Sequence, residues 1–308
     1  MSKLWKYFLS FLLLCTVVIW LAIFNIRSSI FQIIACDVGQ GDAILAIYGD
    51  LQILTDGGLP NGKVIECLGR HLPFWDRTIE VVVNTHPERD HYGGLIEVFK
   101  AYKVENIIVS GLGSSSQEFQ VLQNTVQNEG SSVVVVNAGQ SIRLGLIQLD
   151  IVHPSEEYIL NSQIEVGNIG ENGVLSKFAT KKNKNDFSIV SILSFGEFNA
   201  LLTGDIEDKV SDLVADRLIT FSSNPISYEL LKVPHHGSKN GLSQKLLDAV
   251  NPKLSAISLA KNNSYGHPHK EVLDMLISKD IKILRTDLMG DVIVESDGKS
   301  FVVKGGLP

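Results

Sequence analysis

Residues 78–94 read TIEVVVNTHPERDHYGG. The first seven carry three consecutive valines, the composition of a strand buried on both faces. Directly after it stand His86, Glu88, Asp90 and His91, four donor side chains within six residues, followed by paired glycines. In extended chain His86 and Glu88 face the same side, and a turn at Asp90 and His91 can bring two more donors back to the same point. Imidazole and carboxylate at this density suit zinc, manganese or iron. The plainer alternative is a polar loop whose histidines cap the following helix, so the companions of this stretch decide its meaning.

Upstream, residues 31–58 (FQIIACDVGQGDAILAIYGDLQILTDGG) are apolar runs broken by glycine, read as successive strands with a turn at Tyr48-Gly49-Asp50. VIECLGRHL has helical spacing. Downstream, a helix over Leu95–Tyr102 leads to strand VENIIVS, one over Gln117–Asn128 leads to SVVVVN, and IQLDIVHP is a further strand. Residues 155–185 turn polar, end at the KKNKND run, and read as a surface insertion or lid. FSIVSILSF and FNALLTGD then form a hairpin around Gly196-Glu197. Helices over Glu207–Leu218, Ser243–Val250 and Lys270–Ser278 alternate with strands YELLKVPHHGS, LSAISLA and IKILRT, before a last hairpin turning at Asp297-Gly298. Strand and helix alternating this way indicate an α/β layered fold, and the two similar halves allow a two-sheet sandwich with helices outside.

Three further clusters fall at strand ends, where α/β proteins place their sites. LLTGD puts Asp205 where a carboxylate can bridge two cations, although such an aspartate also suits a helix N-cap. KVPHHGS offers His235 and His236, which cannot both point one way; His235 is preferred as ligand, with His236 left for substrate or support. NNSYGHPHK places His267 in a rigid turn, suited to binding a leaving group or donating a proton. Asp37, Gln40 and Asp42 in DVGQGD and Asp56 in TDGG are expected to support the ligands, while His71 and His153 lack such company and read as structural.

The formal net charge of −7, more negative still without the cations of the first 28 residues, excludes a generally basic nucleic-acid-binding surface. Three cysteines with no C-x-x-C pair suggest neither a disulfide framework nor a thiolate metal site, so Cys36 and Cys67 read as core residues. From Leu4 to Ile26 the chain is predominantly apolar and carries no charge after Lys6, long enough to span a bilayer. We read residues 1–28 as an uncleaved anchor, with a cleaved and secreted form as the alternative, and 29–308 as one hydrolase domain. Lys3 and Lys6 before the span place the domain outside the cytoplasmic membrane by the positive-inside rule.

The ordered set DVGQGD, TDGG, THPERDH, LLTGD, KVPHHGS and YGHP, from Phe31 to Val303, closely resembles the metallo-β-lactamase domain of ComEC-type DNA-uptake proteins. The resemblance implies a four-layer αββα sandwich with a site at one edge holding divalent metal, usually two ions, here zinc or manganese. It implies His86, Asp90 and His91 as ligands, Asp205 as bridge, and His235 or His236 as a later ligand, with Asp90 in the catalytic set. Glu88 stands where the superfamily has histidine and the ComEC branch usually aspartate, and Asn185 or Asp186 occupies the region of the superfamily's middle histidine. The polytopic channel of ComEC-type proteins has no counterpart here, so the chain reads as a free-standing relative. The expected activity is a phosphodiesterase or nuclease acting on DNA, single-stranded DNA included, with water activated by metal as nucleophile and the DNA-uptake machinery as partner. The alternatives are hydrolysis of a cell-wall phosphodiester, such as a phosphorylcholine or teichoic-acid ester, and a non-catalytic module of a membrane complex.

Overall fold

A computed structural model describes residues 3–25, 30–162, 174–221 and 226–304. It begins with helix α1 (Lys3–Asn25), whose segment Lys3–Trp20 is long and apolar enough to cross a membrane and is not buried against the rest. The chain then builds β1 (Phe31–Ala35), β2 (Ile44–Tyr48), β3 (Leu51–Thr55), α2 (Lys63–His71), β4 (Thr78–Asn84), α3 (Arg89–Tyr92), α4 (Leu95–Ala101), β5 (Lys103–Val109), α5 (Gln117–Glu129) and β6 (Ser132–Val135). A second series follows: β7 (Ser141–Leu144), β8 (Ile147–His153), α6 (Glu156–Asn161), β9 (Val190–Phe195), β10 (Phe198–Leu202), α7 (Asp208–Phe221), β11 (Leu230–Lys232), α8 (Gln244–Val250), β12 (Leu254–Ile257), α9 (Lys270–Ser278) and β13 (Lys282–Arg285). After α10 (Thr286–Met289), β14 (Val292–Ser296) and β15 (Phe301–Lys304) return to the first sheet.

The strand orders are β15-β14-β1-β2-β3-β4-β5-β6 and β13-β12-β11-β10-β9-β8-β7. The two sheets face each other across Ile33, Val81, Val83, Leu149, Leu193 and Ala200. On the outer face of the first, Ile34, Leu54 and Val82 pack against Leu68 of α2, Phe99 of α4 and Phe119 of α5. On the outer face of the second, Ile192, Leu201 and Leu231 pack against Val214 of α7, Leu247 of α8 and Leu276 of α9. This is the expected αββα sandwich. The valine run of β4 follows from it: Val81 and Val83 enter the inter-sheet core while Val82 enters the helix-covered one, and each burial stabilises the fold by about 1.5–3 kcal/mol.

The hairpins around Gly49-Asp50, Gly196-Glu197 and Asp297-Gly298 form where the turn residues place them. Two expectations change. Cys36 and Cys67 are not separate core residues but a disulfide, because α2 packs across the end of β1 and brings two positions 31 apart to a Cα separation of 5.9 Å. The insertion of 155–185 lies partly outside the described residues, at 163–173, and its described flanks, exposed at 156–157, 160–161 and 181–183, are nonetheless anchored by buried side chains. Leu175 joins the core beneath α5, Phe178 bridges to Leu112, and Phe187 meets the Tyr158 and Phe178 rings.

Candidate metal centre

Strands β4, β10 and β11 all end at one edge of the sandwich, and their carboxyl ends carry the donors. The loop after β4 supplies His86, Asp90 and His91, the turn after β10 supplies Asp205, and the tight turn Pro234–Gly237 after β11 supplies His236. Asp205 Oδ2 lies 3.2 Å from His91 Nε2 and 3.2 Å from His236 Nε2. His236 Nε2 is 3.6 Å from Asp90 Oδ2. Among the donor sets within mutual reach are His86-His91-Asp205 and Asp90-His91-His236, which share His91.

Each imidazole is held from behind. His91 Nδ1–H donates to Asp56 Oδ2 at 2.8 Å, and His236 Nδ1–H donates to the Ser258 carbonyl at 3.0 Å. The Thr85 hydroxyl donates to Asp56 Oδ2 at 2.7 Å and accepts from His86 Nδ1 at 3.0 Å, so one carboxylate orients two histidines. Asp56 also accepts the Thr85 backbone N–H at 2.8 Å and sits at a φ of 60°, a left-handed conformation that non-glycine residues adopt at a cost. The three Nε2 atoms thus converge on the cleft, and all three are buried without a hydrogen-bond partner among the described residues. Buried polar atoms are seldom left unpaired, and three imidazole nitrogens around a carboxylate are the donor chemistry of a divalent transition metal. The residues present therefore fit a metal.

Close backbone approach sets this geometry. A Cβ on Gly41, at φ +105°, would land on the carbonyl oxygen of Asp90, and one on Gly94 would land on that of Gly57. The DVGQGD and TDGG loops can press onto the ligand loop only because both positions are glycine. Electrostatics follow the same geometry. Burial disfavours charge on His91 and His236, yet Asp205 with Asp56 beside the first, and Asp205 with Asp42 beside the second, hold both well above the usual imidazole pKa. Burial likewise opposes the Asp205 carboxylate, but His236, His91 and Lys232 hold it well below its ordinary value. For His86 burial dominates and, with His91 adjacent, lowers its pKa well below normal.

Of the expected supporting residues, Asp42 is buried against Lys232 and His236, with a pKa of about 2 set by those cations against the opposing effect of burial. Gln40 lines the cleft. Asp37 instead faces Lys63, 3.7 Å away, and does not line the cleft. The structure brings His236 into the donor cluster, whereas His235 lines the cleft with its ring 5.8 Å from that of His267. Successive left-handed residues, φ 48° at His235 and 53° at His236, turn the two rings apart. Glu88 lines the cleft, but its carboxylate meets Lys184 at 3.2 Å. Asn185 lines the cleft, while the Asp186 carbonyl accepts from His153 Nε2 at 2.9 Å. His267 borders the cleft beside the exposed Tyr265, with a pKa lowered to about 4 by burial and by His236, His235 and His269.

Lys232 was not anticipated. Its ammonium is 2% exposed, pairs with Asp42, lies 3.3 Å from Asp205 Oδ1 and donates to the Gly204 carbonyl at 3.0 Å. The signal in the sequence is a lone lysine closing the apolar run before the histidines, YELLKVPHH. Asn183 and Tyr265 also line the cleft of about 260 Å³, whose walls are polar side chains throughout.

Residues 36–261 match the family model of the metallo-beta-lactamase superfamily. ComE operon protein 3 of Bacillus subtilis is 27% identical over 296 residues, covering 90% of this chain and 34% of that protein. Recombination protein 2 of Haemophilus influenzae is 25% identical over 268 residues, 85% of this chain and 28% of that one, and competence protein ComA of Neisseria gonorrhoeae is 26% identical over 254, 82% and 30%. The chain spans about a third of the length of these relatives. The crystal structure of the metallo-β-lactamase fold protein YhfI from Bacillus subtilis superposes with a TM-score of 0.54 at 12% identity, over 87% of this chain and 100% of that one. A diiron β-hydroxylase from Streptomyces venezuelae, CmlA, gives 0.52 at 14% identity over 87% and 55%; at such identities both likenesses show the fold alone. The loop after β4, the second-sheet turns and the family match converge on one conclusion: the chain belongs to the metallo-β-lactamase superfamily.

Proposed function

We propose that this chain is a metal-dependent phosphodiesterase that cleaves DNA, single-stranded in preference, outside the cytoplasmic membrane. The observation that carries the hydrolase reading is the convergence of three buried Nε2 atoms, none in a hydrogen bond among the described residues, on Asp205 at the floor of a polar cleft. Divalent ions there supply Lewis acidity and bring the pKa of water down to about 7. The competence-named relatives and walls without an apolar side chain favour a phosphodiester over an apolar substrate.

His91, His236, Asp90 and Asp205 would hold the first ion, and His86, with Glu88 once it leaves Lys184, a second. Zinc or manganese suits this mixture of imidazole and carboxylate. This reading takes His236 rather than His235 as ligand, and leaves His235 with His267 and Tyr265 on the substrate side. Because its pKa is lowered to about 4, His267 is neutral at pH 7 and serves as a hydrogen-bonding group for the substrate rather than as an imidazolium acid. Asp56 orients His91 and His86, and Lys232 holds Asp205 Oδ1, leaving Oδ2 beside the His91 and His236 Nε2 atoms. The Cys36–Cys67 disulfide supports an oxidising compartment, and α1 supports attachment to the membrane. Work at the DNA-uptake machinery follows from the named relatives.

Purified full-length chain in detergent, supplied with manganese or zinc, should cleave single-stranded DNA and a small aryl phosphodiester. Cleavage of the aryl ester without DNA would move the substrate to a small cell-wall phosphodiester. Inactivity on both by folded, metal-loaded protein would overturn the enzymatic reading in favour of an assembly module.

A further inference from the structure

The edge of the sandwich opposite the cleft carries an aromatic pair that no part of the proposed chemistry uses. Phe74 is 80% exposed and Trp75 56%, their rings edge to face at 4.8 Å. They lie between α2 and β4, before the amino end of the strand whose carboxyl end leads to His86. Leu146, 63% exposed, belongs to the same edge: Gly145 packs against Leu51 at the start of β3, and the neighbouring Gln52 donates to Asp76 Oδ2 at 2.9 Å. Two large aromatic rings and a leucine displayed together in water are costly unless something covers them.

The chain's own connectivity identifies the cover. β1 runs parallel to β3 and β4 and starts on this edge, so the segment joining it to α1 arrives there. Phe31 and Thr78 begin strands three places apart in the sheet, about 14 Å at the usual strand spacing. Residues 26–30 between α1 and β1 can span at most about 17 Å. If α1 crosses a bilayer, the aromatic edge is tethered within reach of that bilayer's surface, and aromatic rings are the side chains favoured at its interface. Arg77, Lys103 and Arg143 are exposed along this edge and can meet lipid phosphates, while Asp50 and Glu105 among them prevent a strongly basic belt. Insertion of apolar side chains, rather than charge, would carry the contact.

We propose that this edge docks on the lipid interface, with Phe74 and Trp75 seated among the headgroups and Leu146 beside them. The metal cleft then stands about 20 Å above the membrane, the rise of β4, and opens away from it. This rests on α1 being a membrane anchor. Of the chain's three tryptophans, Trp5 and Trp20 lie in α1, so Trp5→Phe with Trp20→Phe leaves Trp75 as the sole reporter. The full chain so altered, reconstituted in phosphatidylcholine–phosphatidylglycerol vesicles, should float with the vesicles, show blue-shifted Trp75 emission, and lose at least half its intensity when the lipids carry bromine near the headgroup. Phe74→Ser should reduce that quenching while leaving aryl phosphodiester hydrolysis unchanged. Flotation with water-like, unquenched Trp75 emission would overturn docking and leave the anchor standing. A chain that fails to float would overturn the anchor and the docking together, without touching the reading of the cleft.

Discussion

On one wall of the cleft His91 and His236 have their Nδ1 atoms fixed by a buried carboxylate and a backbone carbonyl, and Asp205 is gripped by a buried lysine. On the other, Glu88 is 41% exposed at its side chain and held by Lys184, and Asn185 lines the cleft in place of an imidazole. The difference teaches an order of filling. A ligand whose far atom is fixed loses little freedom when an ion arrives, whereas one that must leave a salt bridge does not. We expect one tightly held ion on the first wall and a weaker one towards His86 and Glu88.

The largest effect should come from the shared carboxylate. Asp205→Ala should abolish hydrolysis and metal uptake, as should His236→Ala, while His235→Ala should retain metal and lose substrate affinity. Equal metal loss in the two histidine variants, measured by elemental analysis, would erase the distinction drawn between them. Lys232→Met leaves Asp42 and Asp205 buried without their cation and should cost about 3–5 kcal/mol in the metal-free chain, read by denaturant unfolding. Asp56→Ala frees two histidines and should weaken metal binding about 10–100-fold by titration calorimetry.

The walls also differ in their response to pH. In metal-stripped protein His91 and His236 have raised pKa values, so their contribution to stability is full below about 6.5 and is lost as pH rises through the raised values. Asp205 and Asp42 have lowered values, so theirs is present above about 3.8 and is lost as pH falls. His86, His153 and His267 have lowered values, so their contribution is full above about 6.5 and is lost as pH falls, and stripped protein should be most stable near the ordinary imidazole value of about 6.5. Because ions displace the protons on the two imidazoles, the Tm gain on adding zinc should grow from pH 6 to pH 8. A gain independent of pH would contradict the pairing. The smallest effect belongs to the looser wall: Lys184→Ala should improve occupancy of the weaker ion only modestly, since the pair it breaks is partly solvated and worth about 1 kcal/mol or less.

The αββα layering could be read from the sequence because β4, β9 and β10 are predominantly apolar segments flanked by the residues of the site, and apolar patterning is a local signal. The proposed ligands His86, Asp90, His91 and Asp205 sit beside such runs and are legible for the same reason. What escaped depends on contacts between distant segments. The Cys36–Cys67 bond requires α2 to lie over the end of β1. The choice of His236 requires two left-handed residues and a carbonyl from Ser258, 22 positions away. Lys232 looked like the end of a strand until Asp42 and Asp205 closed around it. Asp37, adjacent in sequence to the supporting loop, turned outward to Lys63.

The most direct test of the account is the metal content of the full-length chain purified without chelator, set beside its Asp205→Ala variant. The account predicts at least one bound divalent ion per wild-type chain, resistant to extensive dialysis, and its loss in the variant. A folded wild-type chain that retains no ion, or a variant that retains as much as the wild type, would contradict it.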